Sequence, residues 1–459
     1  MSHDYQTLQP ELRENLQMMA AVQPCQTMDE VRALLELNDK GQVKNTMQNV
    51  YLVLMCDPAL QGAIAHNLLT GRIDICKPLW WSRTVPAMND TDFNYLMLYL
   101  EKYYGLNNET RIRKALTVAA HENQYHPIRD YLNSQQWDGT ERIPYVLHHF
   151  LGAGVSDYTR EVMQLFLMGA ISRVFKPGCK YETMLCLVGG QGAGKSTFFR
   201  FLACRDEWFS DDLKRIDDEN VFRKMQGHWI IEMSEMIATA NAKSIEDIKS
   251  FLSRQKETYK VPYATEPEDR LRQCVFGGTS NTLDFLPLDR SGNRRFLPVM
   301  VHPEQAEVHI LEDESASRQY IDQLWAEAMI LYRCGKVSLR LPAEMTAQLV
   351  QKQKEFMPED TKVGQIQAFL DSYDGDMVCS KLLHHEALER FEEPKAWEIR
   401  EINEIMNQSV TGWIAYPHPR SYRKYGKQRG WMRGNKEPDT REGFHVLTPE
   451  EYQQIGMPF

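Results

Sequence analysis

Gly189-Gly190-Gln191-Gly192-Ala193-Gly194-Lys195-Ser196, followed by Thr197, fits the spacing G-x-x-x-x-G-K-[ST], and its flanks fit as well as its spacing. Met184 to Val188 is a short apolar run that reads as a buried strand, and Thr197 to Ala203 reads as the first turns of a helix. Strand, glycine loop and helix together make a phosphate-binding loop. The glycines let backbone N–H groups close around a polyphosphate, and the helix N-terminus adds a favourable dipole. Lys195 is placed to reach the β- and γ-phosphates of ATP, and the Ser196 hydroxyl to ligate Mg²⁺.

The composition is that of a globular chain: 459 residues, 42% hydrophobic and 25% charged. That length predicts about three domains. No apolar run approaches the ~20 residues of a membrane span, and the N-terminal residues show no secretory pattern. Nine cysteines lie scattered without a C-x-x-C pair, which points to reduced thiols and a cytoplasmic location rather than disulfides or zinc. A net charge of −10 argues against a protein that coats nucleic acid with its whole surface. A local basic channel remains compatible with it, because phosphate contacts act within a Debye length of ~10 Å.

Residues 1–150 carry helical periodicity, with Leu98-Tyr99-Leu100 in one segment and Ile112, Ala115, Leu116 and Val118-Ala119-Ala120 in another. Gly71 to Pro86, with Trp80 and Trp81, reads as a short strand and loop. A helix over Tyr158–Val174 precedes the phosphate loop, which opens an α/β region running to about Met300. Helical pattern resumes from Leu341.

Hydrolysis of ATP needs an acid for Mg²⁺ and a group that orients water. His228-Trp229-Ile230-Ile231-Glu232-Met233-Ser234-Glu235 supplies two acids after an apolar run, with Glu232 expected at the strand end and Glu235 in the following loop. Ser244 to Leu252 reads as an amphipathic helix. Basic and aromatic residues on either side of a polar turn, from Arg254 to Arg272, suggest a protruding β-hairpin or a surface loop with solvated charges. Gln273 to Phe276 leads to Thr279-Ser280-Asn281, a strand tipped by an Asn that can hydrogen-bond attacking water or the γ-phosphate. Arg294 and Arg295 follow a turn and are candidate arginine fingers for charge on the transferring phosphoryl group.

This ordered series resembles the virulence-associated protein E family, phage- and island-borne ATPases related to superfamily 3 helicases of the AAA+ class. The resemblance rests on Trp137-Asp138-Gly139, Pro177-Gly178 with Lys180, Gly189 to Ser196, Trp229 to Glu232, Ile248-Lys249 with Phe251, Pro262-Tyr263, Thr279-Ser280-Asn281 and Gly292 to Phe296, over roughly residues 125–300. Glu232 and Glu235 are not adjacent, unlike the commonest helicase form, which leaves their division of labour open. The resemblance implies an α/β fold with an AAA+-like P-loop parallel sheet over residues 151–335, after a mainly helical domain at 1–150. It also implies a homo-hexameric ring with ATP at subunit interfaces, arginines acting in trans, and hairpins gripping single-stranded DNA. Lys256, Lys260 and Tyr263 are the expected hairpin contacts. Residues 1–150 lack a clear acidic primase pattern, so any primase or initiator partner would be a separate protein.

Residues 336–459 are expected to form a helical and winged-helix-like domain. Trp413 to Arg433 contains no acid, and Arg420, Arg423, Lys424, Lys427, Arg429 and Arg433 are expected to meet double-stranded DNA. The alternative is a charged hairpin contacting neighbouring subunits. The leading expectation for the chain is therefore an ATP-dependent helicase that replicates a phage or mobile element. Set against it are an ATP-regulated DNA-binding initiator or defence switch, and a small-molecule kinase.

Overall fold

The computed structural model describes residues 25–434, except 214–215, 217–220, 235–241, 260–267, 287–292, 336–337, 359 and 423, with backbone alone at 242–245, 258–259 and 268. The described residues fall into two compact units, divided after Met357.

The first unit opens on a small helical layer. Helices Met47–Cys56, Asp90–Tyr104 and Glu109–Glu122 share one apolar core that includes Val50, Leu54, Phe93, Leu96, Leu100, Ile112 and Ala119. Helix Asp90–Tyr104 begins with a reciprocal Asn89–Asp92 capping box and ends at Gly105 in the left-handed region, caps that each stabilise by ~1 kcal/mol. Its buried face runs through Phe93, Leu96 and Leu100. Leu98, read above with the apolar set, is instead 62% exposed. A three-stranded sheet accompanies these helices: β1 (Ile64–Asn67) pairs antiparallel with β2 (Arg72–Ile75) and parallel with β3 (Gln124–Tyr125). The strand expected near residue 71 is β2. Neither β1 nor β3 was anticipated.

The centre of the first unit is a five-stranded, all-parallel sheet. Its strands are β4 (Met184–Val188), β5 (Phe209–Ser210), β6 (Ile230–Ser234), β9 (Val275–Ser280) and β10 (Phe296–Met300), in the spatial order β10-β4-β9-β6-β5. Every residue of β4 and β9 is buried, as expected for parallel strands covered on both faces. Along β4, Leu185 and Leu187 enter the core beneath helices Asp157–Phe175 and Glu314–Arg333. Met184, Cys186 and Val188 enter the opposite core, with Ile248 and Phe251 of helix Ala242–Leu252. Full burial of Leu185, Leu187 and Val188 contributes roughly 1.5–3 kcal/mol each. Trp229 is fully buried; its ring lies 4.4 Å from that of Trp325, and its Nε1 donates to the Ala170 carbonyl at 3.1 Å.

Between β6 and β9 the chain makes an antiparallel hairpin of β7 (Lys256–Tyr259) and β8 (Glu268–Leu271), in agreement with the hairpin reading. Two local expectations need correction. Glu232 sits in the middle of β6, not at its end, because the strand continues to Ser234. Helix Ala242–Leu252 starts before Ser244.

Gly277 fixes how closely helix Lys195–Leu202 lies on the sheet. A Cβ at this position would come within 2.4 Å of the Phe199 ring. Overpacking of this kind costs about 1–3 kcal/mol. Gly277→Ala is therefore expected to lower the thermal unfolding midpoint by several degrees and to displace the phosphate loop. A differential scanning measurement with an unchanged midpoint would refute that tight contact.

The second unit packs helices Thr361–Ser372 and Ala396–Gln408 on an antiparallel sheet in the order β11-β15-β12, built from β11 (Met377–Cys379), β12 (Trp413–Ala415) and β15 (Gly430–Arg433). Ile366, Leu370, Val378, Ile402, Ile405, Trp413 and Trp431 form its core. Strands β13 (Arg420–Tyr422) and β14 (Gly426–Gln428) make a hairpin. The strand suggested at Phe444 to Leu447 lies outside the described residues.

Candidate nucleotide site

The glycine loop turns from β4 into helix Lys195–Leu202 with Gly192 and Gly194 at φ +82° and +76°, a region only glycine enters without steric cost. The turn brings Lys195 back under its own loop. Its Nζ donates to the Gly189 and Gly190 carbonyls at 2.7 Å each, and to Asn281 Oδ1 at 3.0 Å from the tip of β9. Burial lowers the Lys195 pKa from its ordinary value, against the attraction of Glu232.

Glu232 is 1% exposed. Its Oε1 accepts from Ser196 Oγ at 2.7 Å and from Thr279 Oγ1 at 2.6 Å, whereas Oε2 is buried with no described hydrogen-bond partner. Burial raises the carboxyl above its ordinary pKa; the two hydroxyl donors and Lys195 pull the other way, and Asp211 adds to the rise. A buried carboxylate oxygen without a donor costs free energy unless something electropositive meets it.

A cavity of about 530 Å³ opens over the loop, lined also by Ser234, Thr279 to Thr282, His309 and Leu311. Nothing stands within 4 Å of where a Cβ would project from Gly190 or Gly192. Backbone N–H groups at a helix N-terminus, an ammonium, a hydroxyl and an orphaned carboxylate oxygen together fit a polyphosphate with a divalent cation.

Lys195, Ser196, Glu232 and Asn281 are thus brought together with the loop Gly189–Thr197. Thr279 was not among the expected site residues, yet it lies near the end of β9, two residues before Asn281. His309 and Leu311 come from an irregular stretch after β10 with no pattern to announce them.

Arg294 and Arg295 lie elsewhere. The register Phe296↔Met184 runs parallel, so Arg294 stands opposite Glu182 at the head of β4, while the phosphate loop leaves its other end. The five residues of β4, at about 3.3 Å each, separate them by more than an arginine side chain spans. Lys256 Nζ is 2.5 Å from Asp269 Oδ2 across the hairpin. Glu235, Lys260, Tyr263 and Arg423 lie outside the described residues.

In the second unit, Arg420, Lys424, Lys427, Arg429 and Arg433 are exposed. Arg420 sits over the Tyr416 ring at 4.8 Å, and Arg433 over Trp413 at 5.0 Å. Arg420 and Lys427 lie on the paired strands β13 and β14, and Lys424 in the turn between them.

Residues 132–358 match the virulence-associated protein E-like domain. No curated protein matches the chain. Among solved structures, the A-form apo structure of the NrS-1 C-terminal region (305–718) is similar at 14% identity and a TM-score of 0.47, covering 85% of this chain and 100% of that one. A second A-form apo structure of that region gives 13%, 0.48, 84% and 99%. These likenesses are too distant to carry function. No described helix is long and apolar enough to cross a membrane.

Proposed function

We propose that this virulence-associated protein E-like domain is an ATP-hydrolysing motor that works on DNA as a ring of identical subunits, in the replication of a phage or other mobile element. The observation that carries the ATPase reading is Glu232, buried beside Ser196 with one oxygen doubly hydrogen-bonded and the other bare. Ser196 and Glu232 would hold Mg²⁺, which when bound neutralises charge on the β- and γ-phosphates. Lys195 would exchange the carbonyls of Gly189 and Gly190 for phosphate oxygens. Asn281, freed by that exchange, would orient water. The placement of Arg294 and Arg295 at the far end of the sheet supports action on a neighbouring subunit's ATP rather than on their own.

The purified chain is expected to hydrolyse ATP only with Mg²⁺, faster with single-stranded DNA, and to gain the mass of a ring when nucleotide is bound. Hydrolysis indifferent to DNA in a protein that stays monomeric would favour a switch over a motor.

For duplex DNA the reading rests on the exposed cations of the β13–β14 hairpin. Trp413 and Trp431 are core residues of the second unit, so deleting residues 409–459 would dismantle it, and substitutions are the cleaner test. Each phosphate contact contributes about 0.9 to the slope of log affinity against log salt. Replacing Arg420, Lys424, Lys427 and Arg429 together by Gln should flatten that slope by about 3 to 4 while leaving ATPase intact. An unchanged slope would rule the hairpin out as a duplex anchor.

A further inference from the structure

We infer that Glu182 is a positioning residue that presents Arg294 to the neighbouring subunit, with Arg295 remaining behind as part of the support. This rests on the ring-motor reading above and assigns separate roles to the two arginines.

The parallel register sets the three residues side by side: Glu182 lies two positions before Met184, and Arg294 two before its partner Phe296. Glu182 divides its carboxylate between them. Oε1 lies 3.4 Å from Arg294 Nη2, and Oε2 lies 3.6 Å from Arg295 Nη2.

The two guanidinium groups are held very differently. The Arg294 side chain is 72% exposed. That of Arg295 is 19% exposed, and its Nε also donates to Ser253 Oγ at 3.1 Å. Ser253 in turn is tied to the end of helix Ala242–Leu252, with its Oγ 2.8 Å from the Lys249 carbonyl and 3.3 Å from Glu182 Oε2. Releasing Arg295 breaks contacts to two elements, whereas releasing Arg294 breaks one exposed ion pair.

An exposed pair is weak in water, while the same guanidinium against phosphate oxygens in a water-excluded interface is strongly held. Arg294 is therefore the group that transfers. Glu182 does not follow it. Its neighbour Tyr181 is buried, with the Tyr181 carbonyl accepting from Arg173 Nη2 at 2.7 Å, and Oε2 keeps its contact with Arg295. The carboxylate thus aims Arg294 outward before the interface closes and stays clear of the anionic site afterwards.

The test is steady-state ATPase of the full chain, with variants assayed alone and mixed with Lys195→Ala subunits, subunit exchange being verified by co-purification of differently tagged copies. Arg294→Ala should lower kcat about 100-fold with KM within twofold. Glu182→Gln should lower kcat about 10-fold at unchanged KM, Glu182→Asp should recover at least half of that loss, and Arg295→Ala should lose less than Arg294→Ala. Mixing with Lys195→Ala subunits should restore activity to both Arg294→Ala and Glu182→Gln, because each of those retains an intact phosphate loop and lacks only what its neighbour supplies. A purely structural fault at Glu182 would not be rescued by a neighbour.

Wild-type kcat in Glu182→Gln, a larger loss in Arg295→Ala than in Arg294→Ala, or rescue of Arg294→Ala without rescue of Glu182→Gln would overturn the assignment. If Glu182→Gln does not fold, Ser253→Ala takes its place: a kcat loss rescued by mixing supports the arrangement, and no loss overturns it. Failure of the motor reading itself looks different, since Lys195→Ala would then retain hydrolysis, or no arginine variant would be rescued.

Discussion

Replacing Lys195 by alanine is expected to cut ATP hydrolysis by the purified protein about 1,000-fold. The ammonium of Lys195 is in contact with three oxygens, those of Gly189, Gly190 and Asn281. In the transition state it would stabilise charge on the transferring phosphoryl group, a contribution no other described side chain at the loop supplies. Alanine removes that charge, and with it the phosphate contact that Lys195 would make. Nucleotide binding, measured by fluorescence with a labelled ATP analogue, should weaken less than turnover. Near-normal hydrolysis by a preparation free of contaminating ATPases would remove the motor assignment altogether.

Glu232→Gln is expected to have two effects of opposite sign. Hydrolysis should fall by about 100-fold or more, because an amide binds Mg²⁺ far less well than a carboxylate. Stability of the nucleotide-free protein should rise at neutral pH. Burial lifts the Glu232 pKa above its ordinary value, so the ionised side chain is less favourable in the folded chain than in the unfolded one. Between the ordinary and the raised pKa the folded chain binds more protons, and stability therefore falls as pH rises through that window. Above the window the wild type bears the full cost, and the neutral amide does not. Below the ordinary carboxylate value both proteins carry a neutral group, and the difference should vanish. Thermal unfolding at neutral pH should place the variant on the order of a few degrees higher. A lower midpoint at neutral pH, or a gap that grows as pH falls, would contradict the buried-charge account. Function at the expense of stability is the usual compromise at such sites.

The strand, glycine loop and helix were legible because their signals are local: glycines at left-handed positions, a lysine and a serine at fixed spacing, and apolar runs on either side. Asn281 was legible as the polar end of an apolar strand. Thr279 could have been found as a polar residue near the end of the same apolar strand, two residues before Asn281. Glu182 could not. Its contacts with Arg294 and Arg295 arise from the pairing of β10 with β4, strands more than a hundred residues apart, and no local pattern encodes that register. Strands β1 and β3 escaped for a different reason. They are four residues or fewer and contain His66, Asn67 and Gln124, so neither length nor alternation marks them. Leu98 shows the limit of periodicity: three consecutive apolar residues cannot all face one core, and the sequence does not say which of them is left out.

The strand order has a consequence for synthesis on the ribosome. β9 lies between β4 and β6, yet it is made after both. Lys195 waits 86 residues for Asn281, and Glu232 waits 47 for Thr279. At ordinary elongation rates the first interval lasts roughly 4 to 17 s. In its later part, once β6 has been made, the strand before the glycine loop and the strand bearing Glu232 have no common neighbour to bring them together. A nascent chain therefore carries every residue of its glycine loop before the side chains of β9 that meet Lys195 and Glu232 exist, and the site closes only when β9 enters the gap.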